Sequence, residues 1–231
     1  MFLRFFILFC FFYSHIAYAQ NCLDEIFHNK LYSVSDNIIN GKKWIYEKRY
    51  LGSPLLMENY WPVADILYNG VHYAAIIMNY DVYNNEIIIF HPEKGKEKFV
   101  VLSKENLSGF SFTDTVTNRK HVFEYVELPG IKGKTLYENA SVGKASFFIK
   151  PLKSIEVSSS GAGQGKFYTF YDYFLNAGNG FVSFRSKNQF VKVLSKHGTE
   201  LKRFIRKNKL KINNKRPEHI IAVLNYFDGL N

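Results

Sequence analysis

Short apolar runs separated by turn signals occupy most of the chain between residues 44 and 184. The clearest pair is Val63–Tyr68 and Val71–Asn79, because Asn69 and Gly70 between them accept the positive φ angles of a two-residue type I′ hairpin turn. The other runs have similar lengths and spacing, and they predict strands at Trp44–Tyr50, Glu86–Phe90, Lys98–Leu102, Gly109–Phe112, His121–Leu128, Lys144–Lys150, Lys166–Phe174 and Gly180–Phe184. About ten short strands predict a mainly β fold, either an antiparallel β-sandwich or a partly open barrel. A parallel α/β sheet is not expected, because no amphipathic stretch of helix length separates the runs.

The periodicity becomes helical after residue 185. Ser186 and Gln189 have the spacing of a capping box, which begins a first helix, and Gly198 is expected to end it in the left-handed conformation. A second helix follows with Leu201 and Ile205 on one face, and Pro217 suits the first turn of a third. The chain should therefore end in a small α-helical segment. Helices this short need tertiary contacts, so their apolar faces should pack on the sheet or on one another.

Composition adds a targeting segment to this picture. The 231 residues are 47% hydrophobic and 17% aromatic, enough for a sizeable core. Residues 1–19 combine a basic start at Arg4, the apolar run Phe5–Phe12 and the small residues Ala17 and Ala19, which predicts a signal peptide cleaved before Gln20. An uncleaved membrane anchor is the alternative, but a spanning helix needs about 20 apolar residues. The predicted organisation is a signal peptide over 1–19, an antiparallel β domain over 20–185 and a basic helical segment over 186–231 packed on it.

Positive charge is concentrated in that last segment. Residues 186–231 hold 11 Lys and Arg against 3 Asp and Glu, whereas residues 20–185 hold 18 against 17. Four cations fall within two helical turns: Lys202, Arg203, Arg206 and Lys207. Such a patch sets up a positive potential that could bind an anionic membrane surface or an acidic envelope polymer, or simply keep the protein soluble. Nucleic acid is not an expected partner of an exported chain.

Motifs for catalysis, metals and cofactors are mostly missing from the sequence. The glycine-rich stretch Ser158–Lys166 lacks the spacing of a phosphate-binding loop, and we interpret Ser158–Gly165 as a mobile surface loop without a ligand. Cleavage would leave Cys22 as the one cysteine, which argues against a disulfide scaffold or a cysteine zinc site. No cofactor or metal is predicted, and no catalytic residue is assigned. Strand histidines and carboxylates could still converge in space, the main ones being His72, His91, His121, Asp65, Glu86, Glu124, Glu127 and Asp172.

The segment Gly52-Ser53-Pro54-Leu55-Leu56, followed by Tyr60-Trp61 and by Asn79-Tyr80-Asp81-Val82-Tyr83, resembles uncharacterised exported β-rich proteins of Gram-negative bacteria. In these proteins a Gly-Ser-Pro segment precedes a strand meander, and a Lys-rich helical tail closes the chain. The resemblance implies export and a β-rich fold. It implies no activity and no catalytic residue.

Two functions from different classes follow from these observations. The first is a non-enzymatic protein of the cell envelope or extracellular space, which binds another protein or an anionic surface. The alternative is a hydrolase of glycans or peptides whose site is assembled from distant strands. A cleft that holds two or more of the side chains His72, His91, His121, Asp65 and Asp172 would favour the hydrolase. The expected location is periplasmic, outer-membrane-associated or extracellular, with no transmembrane segment in the mature chain.

Overall fold

The computed structural model describes residues 38, 41–46, 49–93, 96–129, 131–157 and 165–230. The strands are β1 (Val63–Tyr68), β2 (Val71–Asp81), β3 (Glu86–Glu93), β4 (Lys96–Val101), β5 (Leu107–Thr113), β6 (Lys120–Val126), β7 (Thr135–Asn139), β8 (Ser146–Glu156), β9 (Lys166–Asn176) and β10 (Val182–Phe184). The helices are α1 (Lys187–Val193), α2 (Gly198–Lys207) and α3 (Pro217–Asp228). The predicted mainly β, antiparallel fold with a short helical segment after it is confirmed.

All ten strands belong to one antiparallel sheet in the order β10-β9-β8-β7-β6-β5-β1-β2-β3-β4. The β1–β2 hairpin forms as predicted, with φ of 52° at Asn69 and 74° at Gly70 in its turn. The sheet is not closed. It is nevertheless curled, because β4 and β5 are four positions apart in the order and only residues 102–106 join them. Four strand spacings measure about 19 Å in a flat sheet, whereas this connection, with a 3₁₀ turn at Lys104–Asn106, reaches only about 16 Å.

The curl encloses one hydrophobic core, and the helices cover a second one. Inward side chains of β1 to β7 form the first core, among them Ile66, Met78 and Phe123. In the second core, β8, β9 and β10 contribute Phe147, Tyr173 and Phe184, on which all three helices pack. The helical segment is therefore docked on the sheet through buried apolar side chains. No helix among the described residues is long and apolar enough to cross a bilayer.

Three local predictions need correction. The described residues of Trp44–Tyr50 form no strand; Lys43 makes an isolated bridge to Val100 at the edge of β4 instead. Gly198 does not end a helix in the left-handed region, because its φ is −59° and α2 begins there. The strand β7 was not predicted at all. The signal peptide over 1–19, Cys22 and residues 158–164 of the glycine-rich stretch lie outside the described residues.

A segment before β1 crosses the mouth of the curled sheet. Leu51 pairs in parallel with Lys166 at the start of β9, and Leu55 pairs with Asp81 at the end of β2. The side chain of Asn79 fastens the same segment, since its amide nitrogen donates to the Met57 carbonyl at 2.9 Å. This crossing segment, residues 51–60, thus links two strands that lie far apart in the sheet.

Candidate anion-binding site

Helix α2 presents a row of cations to solvent because its apolar side packs against the rest of the protein. Leu201 is 0% exposed and Ile205 is 3% exposed. Phe204 stacks on Tyr226 of α3, with ring centroids 4.1 Å apart. The four cations predicted as a binding patch, Lys202, Arg203, Arg206 and Lys207, are all exposed.

An open groove of 560 Å³ lies between the first turn of α1 and the C-terminal half of α2. Its lining consists of Lys187, Asn188, Lys202, Ile205, Arg206, Lys209 and Leu210. Four of these seven residues are cations, and the lining contains no Asp or Glu among the described residues. The cations are exposed, and none of them forms an ion pair with a described carboxylate. An anion entering the groove would therefore meet unneutralised positive charge.

The groove contains half of the predicted patch. Lys202 and Arg206 line it together, because residues four apart lie on the same face of a helix. Arg203 and Lys207 follow these two by one position, about 100° further around α2, and do not line the groove.

Two groove residues were missed by sequence reasoning. Lys209 lies beyond the end of α2 and comes to the groove only because the chain turns there with a positive φ at this residue, a conformation that no local sequence signal predicts for lysine. Lys187 belongs to α1 and reaches the groove only through tertiary packing. The capping box sets the start of that helix, since the Gln189 side chain accepts from the Ser186 backbone N–H at 3.2 Å. Here the sequence signal for the helix start was correct, but the orientation of α1 against α2 was not visible in it.

A second polar cluster lies on the concave face of the sheet. Glu138 of β7 is 5% exposed and pairs with the Arg119 guanidinium. His121 Nδ1 is 2.9 Å from the same carboxylate oxygen, and the imidazole stacks on Phe112. Burial, followed by the negative charges of Glu138 and Glu218, raises the pKa of Tyr171 to about 12. The buried carboxylate is already paired with a guanidinium within the protein and lies against the imidazole, which is typical of a structural polar network.

Other buried ionic groups hold the loops. The Lys153 ammonium of β8 donates to the Ser53 carbonyl at 2.7 Å and to Glu58 at 2.5 Å, both in the crossing segment. Asp114, after β5, accepts from the hydroxyls of Thr117 and Tyr60 at 2.6 and 2.7 Å. The Thr117 hydrogen bond is the main reason that the pKa of Asp114 falls to about 2.

The catalytic candidates named from the sequence are dispersed. His72 and Asp65 are exposed on the first hairpin, Asp172 lies 3.6 Å from Arg185, and His91 lies on β3. In the part of the chain that the structure describes, no hydrogen bond or ion pair joins two of the five residues proposed as discriminators. Over the same residues no group of three His, Cys, Asp or Glu could hold a metal ion.

The fold and the groove together define a mainly β protein that carries an unneutralised cationic groove on a docked helical segment. Comparison of the chain with protein-family models, with curated proteins and with solved structures finds no match.

Proposed function

We propose that the protein is a non-enzymatic, exported protein of the cell envelope or extracellular space that binds an anionic surface or polymer through its helical segment. The observation that supports this most directly is the 560 Å³ groove with four cations and no acidic residue among its described lining. A face that only kept the protein soluble would be expected to mix both charge signs. Here the cations converge on one concave site.

The buried apolar side of α2 defines how such binding would work. An amphipathic helix that inserts into a bilayer places its apolar face among the lipid chains. In this protein Leu201 and Ile205 are held inside the second core and are not available for insertion. Attachment would therefore be peripheral and electrostatic. It should weaken steeply with salt, because the Debye length shortens from about 10 Å at 0.1 M to about 3 Å at 1 M ionic strength.

Cosedimentation with vesicles tests the proposal. The full chain should bind vesicles that contain phosphatidylglycerol at low salt and should be released near 1 M salt. The double variant Lys202→Glu/Arg206→Glu should bind about tenfold more weakly or worse, because each cation near an anionic membrane adds to the attraction. Its circular dichroism spectrum should be unchanged, since both side chains are exposed.

A matched control separates the effect of the groove on binding from the effect of net charge. Lys132 and Lys134 are exposed in the connection between β6 and β7, so the double variant Lys132→Glu/Lys134→Glu changes net charge by the same amount at another place. The control should retain most of the binding. Equal losses in the two double variants, or no binding by the wild-type chain at low salt, would contradict the proposal.

A further inference from the structure

The turn that ends α2 contains a residue in an unfavourable backbone conformation. Lys209 has a φ of +52°, in the left-handed region that favours glycine. The Leu210 N–H donates to the Ile205 carbonyl at 3.0 Å and the Lys209 N–H donates to the Arg206 carbonyl at 3.2 Å. These two bonds form a Schellman motif, in which the residue at the position of Lys209 is usually glycine.

Lysine is an unexpected choice at this position. Three of the four other non-glycine residues with positive φ in the described chain are asparagines, which tolerate this conformation better than lysine does. Glycine would fit the Schellman turn with less strain. Lys209 lines the cationic groove beside Arg206. Strained residues are often retained where the side chain serves a function, so the position of Lys209 points to a role in the groove.

Arg206 is the second unusual feature of the groove, because the other three cations of its lining are lysines. A guanidinium presents a planar fork of N–H donors that can hold two oxygens of a phosphate at once, whereas an ammonium acts as a point charge. No hydrogen bond or ion pair to a described residue occupies the fork. Arg203, one residue earlier, has the same chemistry outside the groove and provides an internal comparison.

The charge and size of the groove indicate what it could hold. A phosphate monoester carries about 1.5 to 2 negative charges near neutral pH, so two such groups would balance four cations. The volume of 560 Å³ falls within the range of small-molecule sites, about 300 to 1,000 Å³. It therefore leaves room for a polar carrier between two phosphates, and Asn188 adds an amide to the lining.

We propose that the groove is a specific site for a bisphosphorylated ligand of about saccharide size, in which Arg206 and Lys209 make the recognition contacts. This site rests on the proposed function, since it would be the place where the anionic surface or polymer binds. The same chemistry occurs on phosphorylated lipid headgroups and on free phosphorylated glycans. In either case the contacts depend on geometry as well as on charge. Such a site would select its ligand by shape, which diffuse attraction to an anionic surface does not do.

Charge-conserving variants separate geometry from charge. Binding of glucose 1,6-bisphosphate to the full chain is measured by titration calorimetry. The variant Arg206→Lys should bind about tenfold more weakly, the loss expected for one charge-assisted hydrogen bond. The matched variant Arg203→Lys should bind like the wild type. Equal affinities for Arg206→Lys and Arg203→Lys, or no binding of the bisphosphate by the wild type, would overturn the specific site.

Lys209 gives a second, independent test. The variant Lys209→Gly should raise the midpoint of thermal unfolding by about 1 to 3 °C, because it relieves the left-handed strain. The same variant should weaken bisphosphate binding several-fold. Lys207→Gln, which removes one charge outside the groove, should leave binding nearly unchanged. A stabilised Lys209→Gly chain with unchanged affinity would show that Lys209 is no ligand contact and would overturn its proposed role.

Competition on vesicles distinguishes the sources of the ligand and the two proposals. Each phosphatidic acid headgroup carries one phosphate monoester, so two neighbouring lipids would supply the two phosphates. If glucose 1,6-bisphosphate releases the chain from vesicles that contain phosphatidic acid, one site takes both paired lipid phosphates and free sugar bisphosphates, as proposed. If Lys202→Glu/Arg206→Glu abolishes vesicle binding but the bisphosphate neither binds nor competes, the specific site is wrong and the anionic-surface function stands. If this double variant binds vesicles as well as the Lys132→Glu/Lys134→Glu control, both proposals fail.

Discussion

Asn79 should be among the residues most sensitive to a small chemical change. It is 1% exposed, and its side chain bonds both the backbone N–H and the carbonyl of Met57 in the crossing segment. Its oxygen accepts from the Met57 N–H at 3.2 Å, and its nitrogen donates to the carbonyls of Met57 at 2.9 Å and Tyr60 at 3.2 Å. The variant Asn79→Asp keeps the shape and the acceptor but removes both donated bonds.

The expected cost follows from these contacts. Each carbonyl that loses a buried partner costs about 1 to 3 kcal/mol, and the new carboxylate would face both of them. We therefore expect Asn79→Asp to lower the free energy of unfolding by about 3 kcal/mol or more at pH 7. Burial and the two carbonyls should raise the folded-state pKa of the new carboxyl. The destabilisation should then be present above that pKa and should decrease as the pH falls below it, because the protonated acid can donate again.

Urea unfolding followed by tryptophan fluorescence measures this effect. The matched control is Asn179→Asp, since Asn179 is exposed in the turn between β9 and β10. The control should stay within about 0.5 kcal/mol of the wild type, as surface substitutions usually do. A variant Asn79→Asp that is as stable as the control at pH 7 would refute the role of Asn79 in holding the crossing segment.

Three further predictions concern stability. Ionised Asp114 stabilises the fold because its pKa falls to about 2 in the folded chain, and after solvent screening this contribution is about 1 to 2 kcal/mol. It is present above about pH 4 and is lost as the pH falls toward 2. Thermal melts of Asp114→Asn should therefore show a deficit at pH 6 that has largely disappeared at pH 2, and a constant deficit would contradict this role of Asp114. Phe190 is 0% exposed, and its ring centroid lies 5.0 Å from that of Phe184. Phe190→Ala should therefore lower the free energy of unfolding in urea by about 3 to 5 kcal/mol, and a loss below about 1 kcal/mol would show that the helices are not firmly docked. Glu58→Leu should destabilise the chain because it leaves the buried Lys153 ammonium without its carboxylate, and adding Lys153→Met should restore stability. A double variant less stable than Glu58→Leu alone would show that the unpaired ammonium is not the cause of the loss.

Much of the secondary structure could be read locally. Val63–Tyr68 alternates between exposed and buried positions along its whole length, and Asn69-Gly70 can supply its turn without help from distant residues. The capping box of Ser186 and Gln189 is equally local. By contrast, β7 was missed because Glu138 stands on its inner face, where the alternation predicts an apolar side chain. The carboxylate is tolerated there because Arg119 and His121 lie against it. Both residues come from another part of the chain, so the pattern around Glu138 does not reveal them.

The sequence by itself determined the strand-rich fold class, the change to helices after residue 185 and the concentration of positive charge there, because each depends on the order of neighbouring residues. Export stays a prediction from the same kind of pattern. Only the tertiary structure decided that Lys202 and Arg206 share a groove with Lys187 and Lys209 while Arg203 and Lys207 do not. The reason is physical: packing of the apolar sides of α1 and α2 sets which cations converge, and that packing depends on contacts between residues far apart in sequence.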